Sequence, residues 1–161
     1  MTATPTPALP TPASVLRDAL AGLVSPGSLG RDELLDAVTV LGEAQAVLDA
    51  VKLRVAGELE NRSVVLGPEN PVTRAGCSTA AEVLAERWRV SHGTARRYCT
   101  VGEATGTRSS LTGEELPPRF PALASATTAA VTGPPATDTG GWVSVEQAAV
   151  IVRELGKAAD R

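Results

Sequence analysis

Aromatic side chains are scarce in this chain of 161 residues: two tryptophans, one tyrosine and one phenylalanine, 2% of the total. Sheets favour aromatic and β-branched residues, whereas alanine is the strongest helix former. Hydrophobic residues make up 43%, which is enough for a core. That core must be built from aliphatic side chains and close alanine contacts. The composition therefore suits helices packed on helices.

Histidine occurs once, at His92, and cysteine twice, at Cys77 and Cys99. A structural zinc site needs four clustered ligands. These three residues contain no CxxC pair and lack a fourth partner, so no metal is expected. Two cysteines allow at most one bridge, and they read as free thiols of a cytoplasmic protein. No run approaches the roughly 18 apolar residues of a membrane span, and no secretory signal opens the chain. No membrane partner is expected.

The usual catalytic groupings are missing too. His92 stands alone beside Ser91, and Ser91 is better explained as a helix cap. The neighbouring pairs Asp32–Glu33 and Glu114–Glu115 read as solvated carboxylates. No glycine-rich loop carries the lysine of a phosphate loop. The sequence predicts no cofactor, no catalytic residue and no enzymatic activity.

What is present is organised by proline and glycine. Residues 1–13 are rich in proline and threonine and read as a disordered leader. Residues 14–161 read as one helical domain. Ser14–Leu23 is a short amphipathic helix, ended by VSPGSLG. Arg31–Arg62 is the longest periodic segment. Its apolar positions are Leu34, Val38, Leu41, Ala44, Leu48, Val51, Val55 and Leu59, with a mean spacing of about 3.6. Asp32, Glu33 and Asp36 suit the positive end of the helix dipole. Gly42 and Gly57 look like weak points in this spine. Ser63–Gly76 reads as a loop. Thr79 or Ser78 caps a helix ending near Trp88, and Ser91 caps another reaching Ala104. Ala122–Val131 and a helix capped by Ser144 complete the set. No strand is expected. The fold class is all-α: a helical bundle with one long spine helix and a helix-turn-helix-like pair.

The charge is −3 overall but uneven. Ser14–Arg62 holds 5 basic and 8 acidic residues; Arg74–Arg108 holds 6 basic and 3 acidic. A basic window on an acidic chain points to an anionic partner. Within it, AEVLAERWRVSHGTARRYC fits a helix-turn-helix. Ala85 is the small residue where the helices cross. Leu84, Trp88, Val90, Ala95 and Tyr98 face a shared core. The residues left to meet DNA are Arg89, Ser91, His92, Thr94, Arg96, Arg97 and Thr100. The departure is Arg89, which stands where such turns often place glycine.

The order of segments resembles a known family. A long helix with LDAVKLRVAGELE is followed by AEVLAERWRVSHGTARRY, then LPPRFPALASA, then VSVEQAAVIVREL. This is similar to the actinobacterial domain of unknown function 222, the thirteen-E-twelve repeat family, over roughly Leu34–Ala159. Residues 132–139 look like an insertion between the last two pieces. In that family the domain usually precedes an HNH endonuclease module. Here the chain stops before such a module would begin, so no catalytic residue is carried over. The resemblance implies a helical accessory domain, truncated or free-standing, that binds or positions double-stranded DNA. The alternative is a protein-interaction or homo-oligomerisation domain using the long helix 31–62.

Overall fold

A computed structural model describes residues 12–23, 25–65, 67–109, 114–132 and 143–159. Among them the all-α expectation holds. The helices are α1 (Pro12–Ala19), α2 (Arg31–Ser63), α3 (Pro71–Arg74), α4 (Ala80–Trp88), α5 (His92–Thr105), α6 (Pro121–Thr132) and α7 (Val145–Ala159). Backbone contacts divide the chain into two compact units, Met1–Gly42 and Glu43–Arg161, with the boundary inside α2.

The described part of the first unit holds α1, two single-turn 3-10 segments and the start of α2. Proline is tolerated at the first helical position, where its missing N–H has no partner to lose. Helix α1 therefore opens at Pro12 rather than Ser14, and it stops at Ala19 rather than Leu23. The rest of the expected leader, up to residue 11, lies outside the described residues. Asp32 and Glu33 occupy the first turn of α2. The Glu33 carboxylate accepts the Gly30 N–H at 2.7 Å, satisfying one donor at the start of the helix.

The second unit holds the main core, and α5 is its central helix, packing on α4, α6 and α7. From α5, Ala95, Tyr98, Cys99, Val101 and Ala104 are buried, and Leu84 of α4 and Val152 of α7 join them. The α2 stripe read from the sequence is not the buried face. Leu48, Val51 and Val55 are 40%, 43% and 50% exposed. Helix α2 instead buries Ala50, Leu53 and Ala56, with Gly57 beside them. Large aliphatic residues mark a stripe, but the buried face is set by where α5 approaches most closely, at Gly57. Gly57 is thus a packing surface rather than a weak point. A Cβ built on it would lie 2.5 Å from the Gly102 carbonyl oxygen.

Two short elements appear where a loop was expected. Within the 63–76 segment, Asn70 caps α3 by accepting from the Val72 and Thr73 N–H groups at 2.9 and 3.4 Å. Its side-chain nitrogen donates to the Ser63 and Val65 carbonyls, at 2.9 Å each. Farther on, β1 (Arg108–Ser109) pairs antiparallel with β2 (Glu115–Leu116), Arg108 opposite Leu116. Strands of two residues are too short to leave an alternating pattern. The expected cap of α7 is present: Gln147 N–H donates to Ser144 Oγ at 3.2 Å, and Ser144 N–H to Gln147 Oε1 at 3.0 Å. The expected insertion begins at the end of α6 and otherwise lies outside the described residues.

Candidate nucleic-acid interface

The α4–α5 pair is built from its caps inward. Thr79, not Ser78, opens α4. Its side chain accepts the Glu82 N–H at 3.2 Å, and Glu82 returns the contact to the Thr79 N–H at 3.3 Å. At the other end Arg89 adopts φ 55 and ψ 44, the left-handed conformation. It is the non-glycine residue with positive φ among the described residues. Val90 N–H reaches back to the Ala85 carbonyl at 3.2 Å, as in a left-handed helix stop. The turn thus has the backbone that glycine usually supplies, with an arginine in it. Ser91 then opens α5 by accepting the Thr94 N–H at 3.1 Å.

The core-facing residues fall where the sequence placed them. Leu84, Ala95 and Tyr98 are buried, and Trp88, Ala85 and Val90 pack against them half-buried. Trp88 and Tyr98 meet edge to face, with ring centres 5.3 Å apart. Lys52 of α2 sets its ammonium 5.4 Å from the Trp88 ring and 5.6 Å from the Tyr98 ring. Such an aromatic–cation contact is worth about 0.5–1 kcal/mol where water still reaches it. The Tyr98 hydroxyl donates to Asp49 on α2. Burial, this bond and the Asp49 charge all push the Tyr98 phenol above its usual range. Beside it, burial, a hydrogen bond to Glu60 and the Glu60 and Glu103 charges push the Cys99 thiol up to about 12. The inner side of α5 is therefore fastened to α2 through two acidic acceptors and a glycine contact.

The outer side carries the predicted contact residues. Arg89, Ser91, His92, Arg96, Arg97 and Thr100 are exposed, and Thr94 is half-buried. Three of them line two different clefts. His92 and Arg96 line an open cleft of about 480 Å³ with Glu60, Ser63, Thr79 and Glu82. Thr100 lines a smaller one with Arg108 and Arg119. The Ser91 and Thr94 hydroxyls face each other at 2.9 Å and are occupied by the cap. No ion pair among the described residues engages Arg96 or Arg97; the pairs found are Arg62–Glu58, Arg153–Glu154 and Lys157–Glu154.

Arg108 and Arg119 were not singled out from the sequence. They lie on either side of the β1–β2 hairpin, and only its pairing brings them to α5. Their signals were slight: Arg108 ends the basic window, and Arg119 lies within the proline-bounded segment. Cys77 and Cys99 are free, and Cys77 is half-buried. Burial and the nearby Glu86 push the Cys77 thiol up. Among the described residues no group of three His, Cys, Asp or Glu side chains could hold a metal ion. None of the described helices is long and apolar enough to cross a membrane. No family model matches the chain, and neither a curated protein nor a solved structure is similar to it.

Proposed function

We propose that this chain is a non-catalytic helical accessory module of an HNH endonuclease-like protein, binding or positioning double-stranded DNA through α5 and the turn before it. The observation that carries this reading is the two-sidedness of α5. One face is clamped to α2 by Tyr98, Cys99 and Gly102, while Arg97 and Arg96, the latter at the cleft bordered by Glu60 and Glu82, stay exposed without ion-pair partners among the described residues. Arginines on a rigid helix suit phosphate oxygens and guanine edges. The resemblance of the segment order to the domain of unknown function 222 points the same way. Two free cysteines agree with a reducing cytoplasm, where DNA is also found.

The test is a titration of duplex DNA across salt concentrations. Binding at low salt that weakens steeply with salt, and weakens again in Arg96→Ala/Arg97→Ala, is the expected result. No binding at low salt, or binding indifferent to those substitutions, overturns the reading.

A second reading is favoured by α2. Val47, Leu48, Val51 and Val55 are 41%, 40%, 43% and 50% exposed, on the side of the helix away from Ala50, Leu53 and Ala56. This suits self-association or a partner helix. Sedimentation at high micromolar concentration tests the self-association arm, which a strict monomer excludes.

A further inference from the structure

The pocket that holds Thr100 is assembled by short fastenings at the end of α5. Gly106 N–H donates to the Gly102 carbonyl at 2.7 Å as the helix stops. The Asn61 side chain of α2 donates to the Thr107 carbonyl at 3.1 Å. After the hairpin, Phe120 N–H donates to the Ala104 carbonyl at 3.2 Å. Both ends of the hairpin are thus tied to the same turn of α5. Arg108 and Arg119 arrive at one mouth, an open pocket of about 240 Å³ that also takes in Thr100, Glu103 and Val152.

Each guanidinium has an uncharged partner. Arg108 Nε donates to the Pro117 carbonyl at 3.2 Å. The Arg119 guanidinium carbon lies 5.4 Å from the centre of the Phe120 ring. No ion pair among the described residues engages either arginine. Two guanidiniums against the single carboxylate of Glu103 leave the pocket net positive, and the Thr100 hydroxyl adds a donor. Guanidinium N–H groups form a planar fork that matches phosphate oxygens. The volume accommodates a phosphate group.

The pocket has a fixed place along α5. Thr100 follows Arg96 by four residues and His92 by eight, so all three share a side of the helix. The pocket therefore closes the C-terminal end of that row, about 12 Å beyond His92 at 1.5 Å per residue.

We propose that the Thr100–Arg108–Arg119 pocket binds one phosphate group of a nucleic acid and so fixes where the His92–Arg96–Thr100 row of α5 sits along the strand. This rests on the nucleic-acid reading. The phosphate is either an internal diester or a strand-terminal monoester, and one experiment separates the two. Duplexes with and without 5′-phosphates are titrated against the full chain and against Arg108→Ala/Arg119→Ala, with circular dichroism confirming that both fold.

For an internal diester, both duplexes bind alike. The double substitution then weakens each by about tenfold, the effect of one charge-assisted contact, and flattens the slope of log affinity against log salt by about 0.9. For a terminal monoester, the 5′-phosphate strengthens binding and the double substitution abolishes that gain. Glu103→Gln tightens binding in either case, which loss of a merely structural role would not do. Unchanged affinity and slope in the double variant overturn the proposal while leaving the DNA reading intact. If the natural chain fails to bind duplex at low salt, inorganic phosphate is titrated against the arginine side-chain NMR signals. Shifts of Arg108 and Arg119 then keep the pocket as a phosphate site without DNA, and unmoved signals overturn it.

Discussion

Gly102 of α5 lies backbone to backbone on Gly57 of α2. A Cβ at Gly102 would stand 2.5 Å from the Leu53 carbonyl oxygen and 2.6 Å from the Gly57 nitrogen. No rotamer relieves a clash with backbone, so the two helices would have to separate. Gly102→Ala and Gly57→Ala are each expected to lower stability by about 2–3 kcal/mol, despite the better helix propensity of alanine. Gly42 and Gly156 have nothing within 4 Å of such a Cβ. Alanine there is expected to raise stability by about 0.5–1 kcal/mol. Urea unfolding of the four variants checks both signs.

Arg89 holds a left-handed backbone, which costs a residue with a Cβ about 1 kcal/mol relative to glycine. Arg89→Gly is expected to stabilise the chain by about that amount. If its guanidinium also meets DNA, the same variant binds duplex more weakly. Opposite movements of melting temperature and affinity are the expected pair, measured by calorimetry and by titration.

The Tyr98–Asp49 bond joins α5 to α2 across the aromatic cluster. Tyr98→Phe keeps the ring contact with Trp88 and removes only the donor. A loss of about 1 kcal/mol is expected, the net worth of one hydrogen bond. Lys52→Met is expected to cost a further fraction, because the ammonium over both rings is lost while its stem still packs. A double-mutant cycle on Tyr98 and Lys52 measures their coupling.

Cys99 loses its proton at 9.0 when free and at about 12 in the fold. Above pH 9 the unfolded chain therefore binds fewer protons than the native one, and stability falls as pH rises. The Tyr98 phenol, also raised, adds to the fall in the same direction. The contribution is fully present at neutral pH. Cys99→Ala is expected to flatten the alkaline limb of a stability–pH profile. In the native chain at pH 8, a thiol reagent is expected to reach half-buried Cys77 before buried Cys99.

The caps and the two-helix unit were legible in the sequence, because they rest on local rules. Thr79 with Glu82, Ser91, and Ser144 with Gln147 each announce a helix start within four residues. Leu84, Ala95 and Tyr98 fell on the buried side because α4 and α5 are short, capped at known positions and amphipathic. Helix α2 was harder. Its length was plain, but of its stripe of leucine and valine only Leu59 packs against the core, while Leu48, Val51 and Val55 stay exposed. The true contact is written in Leu53 and, around it, Ala50, Ala56 and Gly57, small residues that hydropathy ranks below leucine and valine. Close approach is a property of two segments, and Gly57 gives no sign of Gly102 until both helices are placed. The same limit hid Arg108 and Arg119, since a hairpin of two-residue strands leaves no period to read.

Asn70 ties the end of α2 to α3 and the loop between them through both ends of its side-chain amide. Asparagine is ordinarily the side chain most prone to spontaneous ageing, when the next backbone nitrogen attacks its carbonyl and expels ammonia. Here the next residue is Pro71, whose nitrogen carries no hydrogen to lose. The junction between α2 and α3 is thereby chemically durable, and it is expected to keep its amide through long storage that would convert an exposed asparagine to aspartate.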